Sequence, residues 1–344
     1  MSDPSQQPSR QPSPRHEGAS PGARHASGGT DELEHALGSA PTGAEPGGGA
    51  DAAGARPGGR RRGPASAGGA QGYAPRRTLT LRAEAARQVT RRRTVVTAVL
   101  LALLPVLLVG AFALGDGDTS GAPDFVQLAT EGGANLALFT LFVATGFLIP
   151  LVVALLCGDP LSSEASWSSL RYLLVSPVPR RRLLRSKLVV ALVSSVIAVA
   201  ELMVVAYLLG TLVYGADPLV SPGGDAFDLG EGLWRLGVAT AYVLVSTAAF
   251  GGFAFLVGTR SDAPLAAVGS AVLLVVISTV LDQIQALGDL REALPTHFQY
   301  AWVGLFQPDP AWDDLLTGSL WALLWAVVAI RLAFWSFGRK DVLS

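Results

Sequence analysis

The sequence predicts an all-α integral membrane protein: six transmembrane helices, a cytoplasmic surface helix between the second and third, and a disordered N-terminal tail. Three observations predict it. Half of the 344 residues are apolar and mean hydropathy is +0.40, which is too hydrophobic for a soluble globule. Six apolar runs are each long enough, or nearly so, to cross a hydrocarbon core of about 30 Å. The loops between them alternate in charge, basic on one side and acidic on the other. The net charge of −1 conceals that asymmetry: residues 1–93 carry 14 basic against 8 acidic residues, and residues 94–344 carry 12 against 19. One cysteine, Cys157, excludes an internal disulfide framework.

Residues 1–77 are rich in Pro, Gly, Ser, Ala and Arg and nearly devoid of aliphatic and aromatic side chains. Such a segment buries too little apolar surface to offset its conformational entropy, so it reads as a disordered cytoplasmic tail. Its Arg60-Arg61-Arg62 run has no interleaved aromatics. It reads as a solvated stretch attracted weakly to anionic lipid, with no nucleic-acid partner. The membrane domain, 78–344, opens with LTLRAEAARQVTRRR, in which Leu81, Ala85 and Val89 fall four apart. That spacing predicts an amphipathic helix lying on the membrane surface. Arg91, Arg92 and Arg93 end it as a cytoplasmic anchor.

The spans fall at 94–114, 135–157, 188–212, 236–258, 264–281 and 315–337. Loop 115–134 carries Asp116, Asp118, Asp124 and Glu131 with no Lys or Arg, and loop 213–235 sets four acids against Arg235. The opposite side holds Arg91 to Arg93, the basic central loop, Arg260 and Arg339-Lys340. By the positive-inside bias both termini are cytoplasmic, in the cell membrane. The last outer loop, 282–314, places Ile284, Leu287 and Leu294 on one face of a possible short helix, which Pro295 breaks. It then runs through HFQYAWVGLF, aromatic enough for the interface. One or two short interfacial or re-entrant helices are expected there. No repeat of fixed period is visible.

The stretch around which the rest is arranged is Gly158–Lys187, a basic island between two apolar runs. Asp159-Pro160 is expected to break the run before it. Ser162 and Ser163 are then placed to cap a new helix, with Glu164 at its positive end. Trp167, Leu170 and Leu174 give that helix, about 163–175, one apolar stripe. Pro177-Val178-Pro179 stops it, and Arg180, Arg181, Arg182, Arg185 and Lys187 open the third span. Here something outside the membrane can grip the protein.

Catalysis needs a constellation, and the sequence has none. Three of the four histidines lie in the tail and His297 in an outer loop, so there is no HExxH site. There is no GxxxxGK[ST] loop, and the two lysines, Lys187 and Lys340, sit in basic runs. The chain is therefore expected to be no enzyme, and no metal or cofactor is expected. Gly251-Gly252 with Ala248 is a small-residue packing face. Two charges lie within spans. Arg331 is near enough to the cytoplasmic end to snorkel. Glu201 lies about 20 Å into the third span, so it must face a partner helix or a cavity, line a translocation path, or be protonated. The two depths differ by about 10 Å, which argues against a bridge between them.

With that topology, the central loop resembles the signature of type 2 ABC exporter permeases. The family pattern of Glu, Gly-Thr, Leu-Leu, Pro, Arg and Gly-Lys is matched in spacing by Glu164, Ser168-Ser169, Leu173-Leu174, Pro177, Arg180 and Ser186-Lys187. Ser168 and Ser186 stand where glycine is usual. The resemblance covers about residues 78–344 and includes the closing Phe337–Val342. It implies the membrane subunit of an ATP-driven exporter, with ATPase subunits as separate chains and a second permease copy or paralogue completing two-plus-two. The 163–175 helix becomes the coupling helix. Glu164, Trp167, Ser168, Ser169, Leu170, Leu173, Leu174, Pro177, Arg180 and Lys187 are its implied ATPase-coupling residues. Two other readings stay open on the residues alone: a secondary transporter or channel, and a membrane assembly protein without transport. The substrate is not written in the sequence.

Overall fold

The computed structural model describes residues 81–114, 127–166 and 180–339, with side chains described except at 164–166 and 180. The predicted tail, 1–77, lies outside them, as does the stretch from Trp167 to Pro179. Helix α1 (Leu81–Val89) leads into α2 (Arg92–Leu114), the first span. Helices α3 (Gly133–Thr145) and α4 (Leu148–Ser166) follow, then α5 (Arg180–Tyr214). A small hairpin, β1 (Leu219–Val220) against β2 (Ala226–Phe227), precedes α6 (Leu229–Arg260) and α7 (Pro264–Asp282). Two 3-10 helices, Gln285–Ala293 and Ala301–Phe306, lead to α8 (Trp312–Arg339). Among the described residues five helices are long and apolar enough to cross a membrane, and α3 with α4 makes a sixth span if that bent pair is counted as one.

Helix α6 is the central post. Two thirds of its apolar window, 67%, is buried, against 17% for α2. Its small residues are the reason. A Cβ on Gly251 would stand 2.8 Å from Val153 of α4, and one on Gly252 3.2 Å from the Ala326 carbonyl of α8. Both glycines of the predicted packing face are thus spent on close helix approach. Contacts of Tyr242 with Gly318, Gly252 with Ala329, and Thr259 with Ser336 follow one another in order, so α6 and α8 run side by side in one direction. By contrast α2 exposes Val95, Val96, Val99, Leu100, Leu103 and Leu107, a face suited to lipid and not to water.

Four expectations need correction. The second span is not straight, because α3 and α4 meet at 63°. Pro150 stands in the first turn of α4, where its ring conflicts with the carbonyl of Gly146 in any continuous helix. Thr145 also bonds back to Leu141 O at 2.6 Å, a pairing that favours bending. Secondly, Asp159-Pro160 does not end a helix: α4 continues to Ser166. Ser162 therefore caps nothing, and its hydroxyl donates back to Gly158 O at 2.9 Å, with Ser163 likewise donating to Asp159 O. Thirdly, the one or two short helices expected in the last outer loop are there as two 3-10 helices, but Gly288 at φ +51° interrupts the first. Ile284, Leu287 and Leu294 consequently share no helical face. Fourthly, the hairpin adds a small β element to a fold read as wholly helical.

The second 3-10 helix and the residues before it dip toward the α3–α4 bend. Gln299 Nε2 donates to Thr145 O at 2.5 Å, taking up a carbonyl at the break. The Tyr242 hydroxyl donates to Phe298 O at 2.6 Å, and Trp302 is fully buried. Arg235 locks the same region to α6. It pairs with Glu231 at 2.6 Å, donates to Gln307 O at 2.8 Å and stacks on Phe227 at 4.1 Å.

Candidate functional site

The two roots of the central loop are held by buried charge. On the entering side, Asp159 of α4 is 5% exposed and accepts from Arg91 Nη1 at 3.3 Å and from Arg93. On the leaving side, Lys187 of α5 is 1% exposed, and its Nζ donates to Glu84 Oε1 of α1 at 2.8 Å. The same amine lies 3.4 Å from Pro160 O, so one ammonium touches both roots. Arg87 Nη1 stands 3.6 Å from the other Glu84 oxygen.

Local sequence explains each placement. Helix α1 turns Glu84 and Gln88 inward and leaves Leu81 and Val89 exposed. Its polar side thus faces protein, and its apolar side faces outward as a membrane-lying helix requires. Ser186 is 5% exposed with its hydroxyl on Leu183 O at 2.9 Å, so only a small residue fits where the resemblance expects glycine. At the α4 root, a Cβ on Gly258 would lie 2.6 Å from Gly158 O. Glycine there lets α6 press against the start of the loop.

Burial decides what these charges do. Taking a lysine and a carboxylate out of water costs several kcal/mol per ion, and their attraction repays that only when geometry is good. An exposed pair holds little. A buried one that joins α1 to α5 instead specifies how the two helices sit.

Of the residues singled out in the sequence, Lys187 is brought into this cluster and points inward, not toward a docking surface. Arg180 opens α5. Glu164 lies in the last turn of α4, with its side chain outside the described set. Trp167, Ser168, Ser169, Leu170, Leu173, Leu174 and Pro177 lie outside the described residues. Glu201 is half-buried on α5 and, among the described residues, has no hydrogen-bond or ion-pair partner. No bridge joins it to Arg331, which is exposed on α8. Sequence reasoning missed Glu84 and the pairing of Asp159. A carboxylate alone in a basic amphipathic helix, and another placed at the end of an apolar run, were the available signals. Among the described residues no group of three or more His, Cys, Asp or Glu is placed to hold a metal ion.

The family model for ABC-2 family transporter proteins matches residues 80–342. The chain belongs to that family. Its matched region begins at α1 and includes every helix described above. Membership makes the chain a multi-pass permease component of an ABC transporter, a machine whose ATPase is a partner. No curated protein matches it. In this ABC-2 permease, the charged cluster stands where the central loop joins the membrane helices.

Proposed function

We propose that the chain is the translocating subunit of an ATP-driven exporter, driven through its central loop. The ATPase is a separate chain, this subunit is non-catalytic, and two permeases, identical or paralogous, join two ATPases. Both termini and the 158–187 loop are cytoplasmic. The segment around Trp167 docks on the ATPase, with Glu164, Ser168, Ser169, Leu170, Leu173 and Leu174 at or beside the contact. Pro177 and Arg180 pass the motion into α5. Lys187 acts one step back, by holding the loop root to α1.

The observation that carries this reading is the buried charge at both roots. A loop fastened by Asp159 and Lys187 to two helices delivers a push to the membrane domain, whereas loosely tethered roots absorb it. Proline-stiffened entry to α5 works the same way. An aromatic anchor with a charged rim also suits a small docking surface.

The test is capture of the cognate ATPase by the tagged permease, with ATP hydrolysis measured in the same membranes. Trp167→Ala and Glu164→Ala are expected to leave insertion intact, weaken capture and lower transport-linked hydrolysis. Undiminished capture and hydrolysis in both sinks the coupling assignment. Glu201→Gln belongs in the same series: folded protein that captures ATPase but no longer transports puts Glu201 on the translocation path, and normal transport makes it structural.

A further inference from the structure

At the basic end of the bundle the cations fall into two groups. Arg91, Arg93 and Lys187 are taken by Asp159 and Glu84. Arg181 and Arg331 are not: both are exposed, and neither has a hydrogen-bond or ion-pair partner among the described residues. These two arginines, from the first turn of α5 and the inner part of α8, line one groove of about 620 Å³ together with Leu332, Phe334 and Trp335. Among the described residues no carboxylate lines it. Arg339 lies 4.1 Å over the Trp335 ring, which adds a third positive charge beside the groove and fixes the indole.

Depth shows what such a groove meets. From Trp312 to Arg331 along α8 is about 28 Å at 1.5 Å per residue, close to the roughly 30 Å hydrocarbon thickness. Trp312 and Trp335, both exposed, then sit near the two interfaces, where indoles prefer to be. Arg331 therefore stands where acyl chains give way to headgroups, and Arg181 stands on the headgroup side. The apolar walls, Leu332 and Phe334, lie beside the arginines. The groove thus sets arginines beside apolar walls, in a volume within the range of roughly 300–1,000 Å³ typical of small-molecule sites.

We propose that this groove is a binding site for an anionic phospholipid, with the phosphate held by Arg181 and Arg331, the headgroup and glycerol against Trp335 and Leu332, and the acyl chains running outward along the exposed Val328 and Leu324 of α8. Guanidinium groups grip phosphate oxygens in pairs, and they are less strongly hydrated than an ammonium. A zwitterionic headgroup fits less well, because its ammonium meets three arginines and, among the described residues, no acid.

The test reconstitutes the full chain in phosphatidylcholine vesicles containing either brominated phosphatidylglycerol or brominated phosphatidylcholine at equal mole fraction. Quenching of Trp335 is taken as the difference between wild type and Trp335→Phe. The expected result is a roughly tenfold preference for the anionic lipid. It is lost in Arg181→Gln/Arg331→Gln, which disturbs no described ion pair, and largely kept in Arg331→Lys. Unchanged thermal unfolding of the double variant separates loss of the site from loss of the fold. Equal quenching by both lipids in wild type, or a preference that survives the double variant, overturns the proposal. So does competition by added inorganic phosphate at constant ionic strength, which would make the groove a site for a soluble anion.

Discussion

Lys187 carries its charge where water does not reach, and that makes it the most consequential single residue described. Removing one member of a buried pair leaves the other uncompensated, at a cost of about 3–5 kcal/mol. Replacing both by apolar or neutral groups of similar volume often costs little. Lys187→Met should therefore lower thermal stability sharply in purified protein, and Glu84→Gln/Lys187→Met should recover most of the loss. A double variant as damaged as the single one would show that Lys187 matters through its packing and its Pro160 contact, not through Glu84. Of this pair only Lys187 was legible in the sequence, through its place in the spaced signature. Glu84 lies 103 residues away, and its one local mark, a lone carboxylate in a basic helix, does not name its partner, since helix periodicity reports which residues are apolar and not which acid is turned inward. Asp159 was visible only as the neighbour of a proline. Its partnership with Arg91 and Arg93 is a tertiary fact.

Among the elements, α6 shows how a sequence pattern becomes a geometric constraint. The small residues near Gly251 read as a packing face in the sequence, and they pack against two different helices in the structure. Gly251 faces Val153 and Cys157 of α4, while Gly252 faces α8. Gly251→Ala puts a methyl group 2.8 Å from the Val153 side chain, closer than carbons tolerate, and overpacking of this kind costs about 1–3 kcal/mol. Trimming the obstacle should relieve it, so Gly251→Ala/Val153→Ala should be more stable than the two single changes predict by addition. Strict additivity in thermal unfolding would mean the methyl group is accommodated elsewhere. The bend between α3 and α4 was less legible. A run of apolar residues long enough to span gives the same hydropathy whether straight or broken. The cue was Pro150, inside the run read as one span; proline is tolerated in membrane helices when other groups satisfy the freed carbonyls. At this break Gln299 takes up Thr145 O, and it comes from a loop more than a hundred residues on. The shared face read for Ile284, Leu287 and Leu294 failed for a related reason: a 3.6-residue spacing says nothing about a segment with three residues per turn and a left-handed glycine inside it.

For the whole molecule, the approximate positions of the spans were legible because a bilayer imposes length and apolarity on each segment separately, while their number, read as six, is reached only if the bent α3–α4 pair counts as one. How the spans pack was not, because lipid-facing and helix-facing residues are equally apolar. Orientation rests on charge: the basic residues Arg91, Arg93, Lys187, Arg260 and Arg339 gather at one end of the helices, and Asp217, Asp225, Asp228, Asp313 and Asp314 at the other. Basic side chains are retained on the cytoplasmic face and acids contribute little, so the proposed orientation rests on the first anchor and on every later one. Cys157 is buried and unpaired, which makes Cys157→Ala a quiet background for labelling. In that background, Ala226→Cys, on the exposed edge of the hairpin, should react with a membrane-impermeant maleimide added to intact cells. Ser176→Cys should react only after permeabilisation. The hairpin and the central loop are joined by the single helix α5, so one crossing separates them and the two sites must answer oppositely. Labelling of both from outside would break the third span. Labelling of Ser176→Cys alone would invert the molecule, and would remove the central loop from reach of any cytoplasmic ATPase.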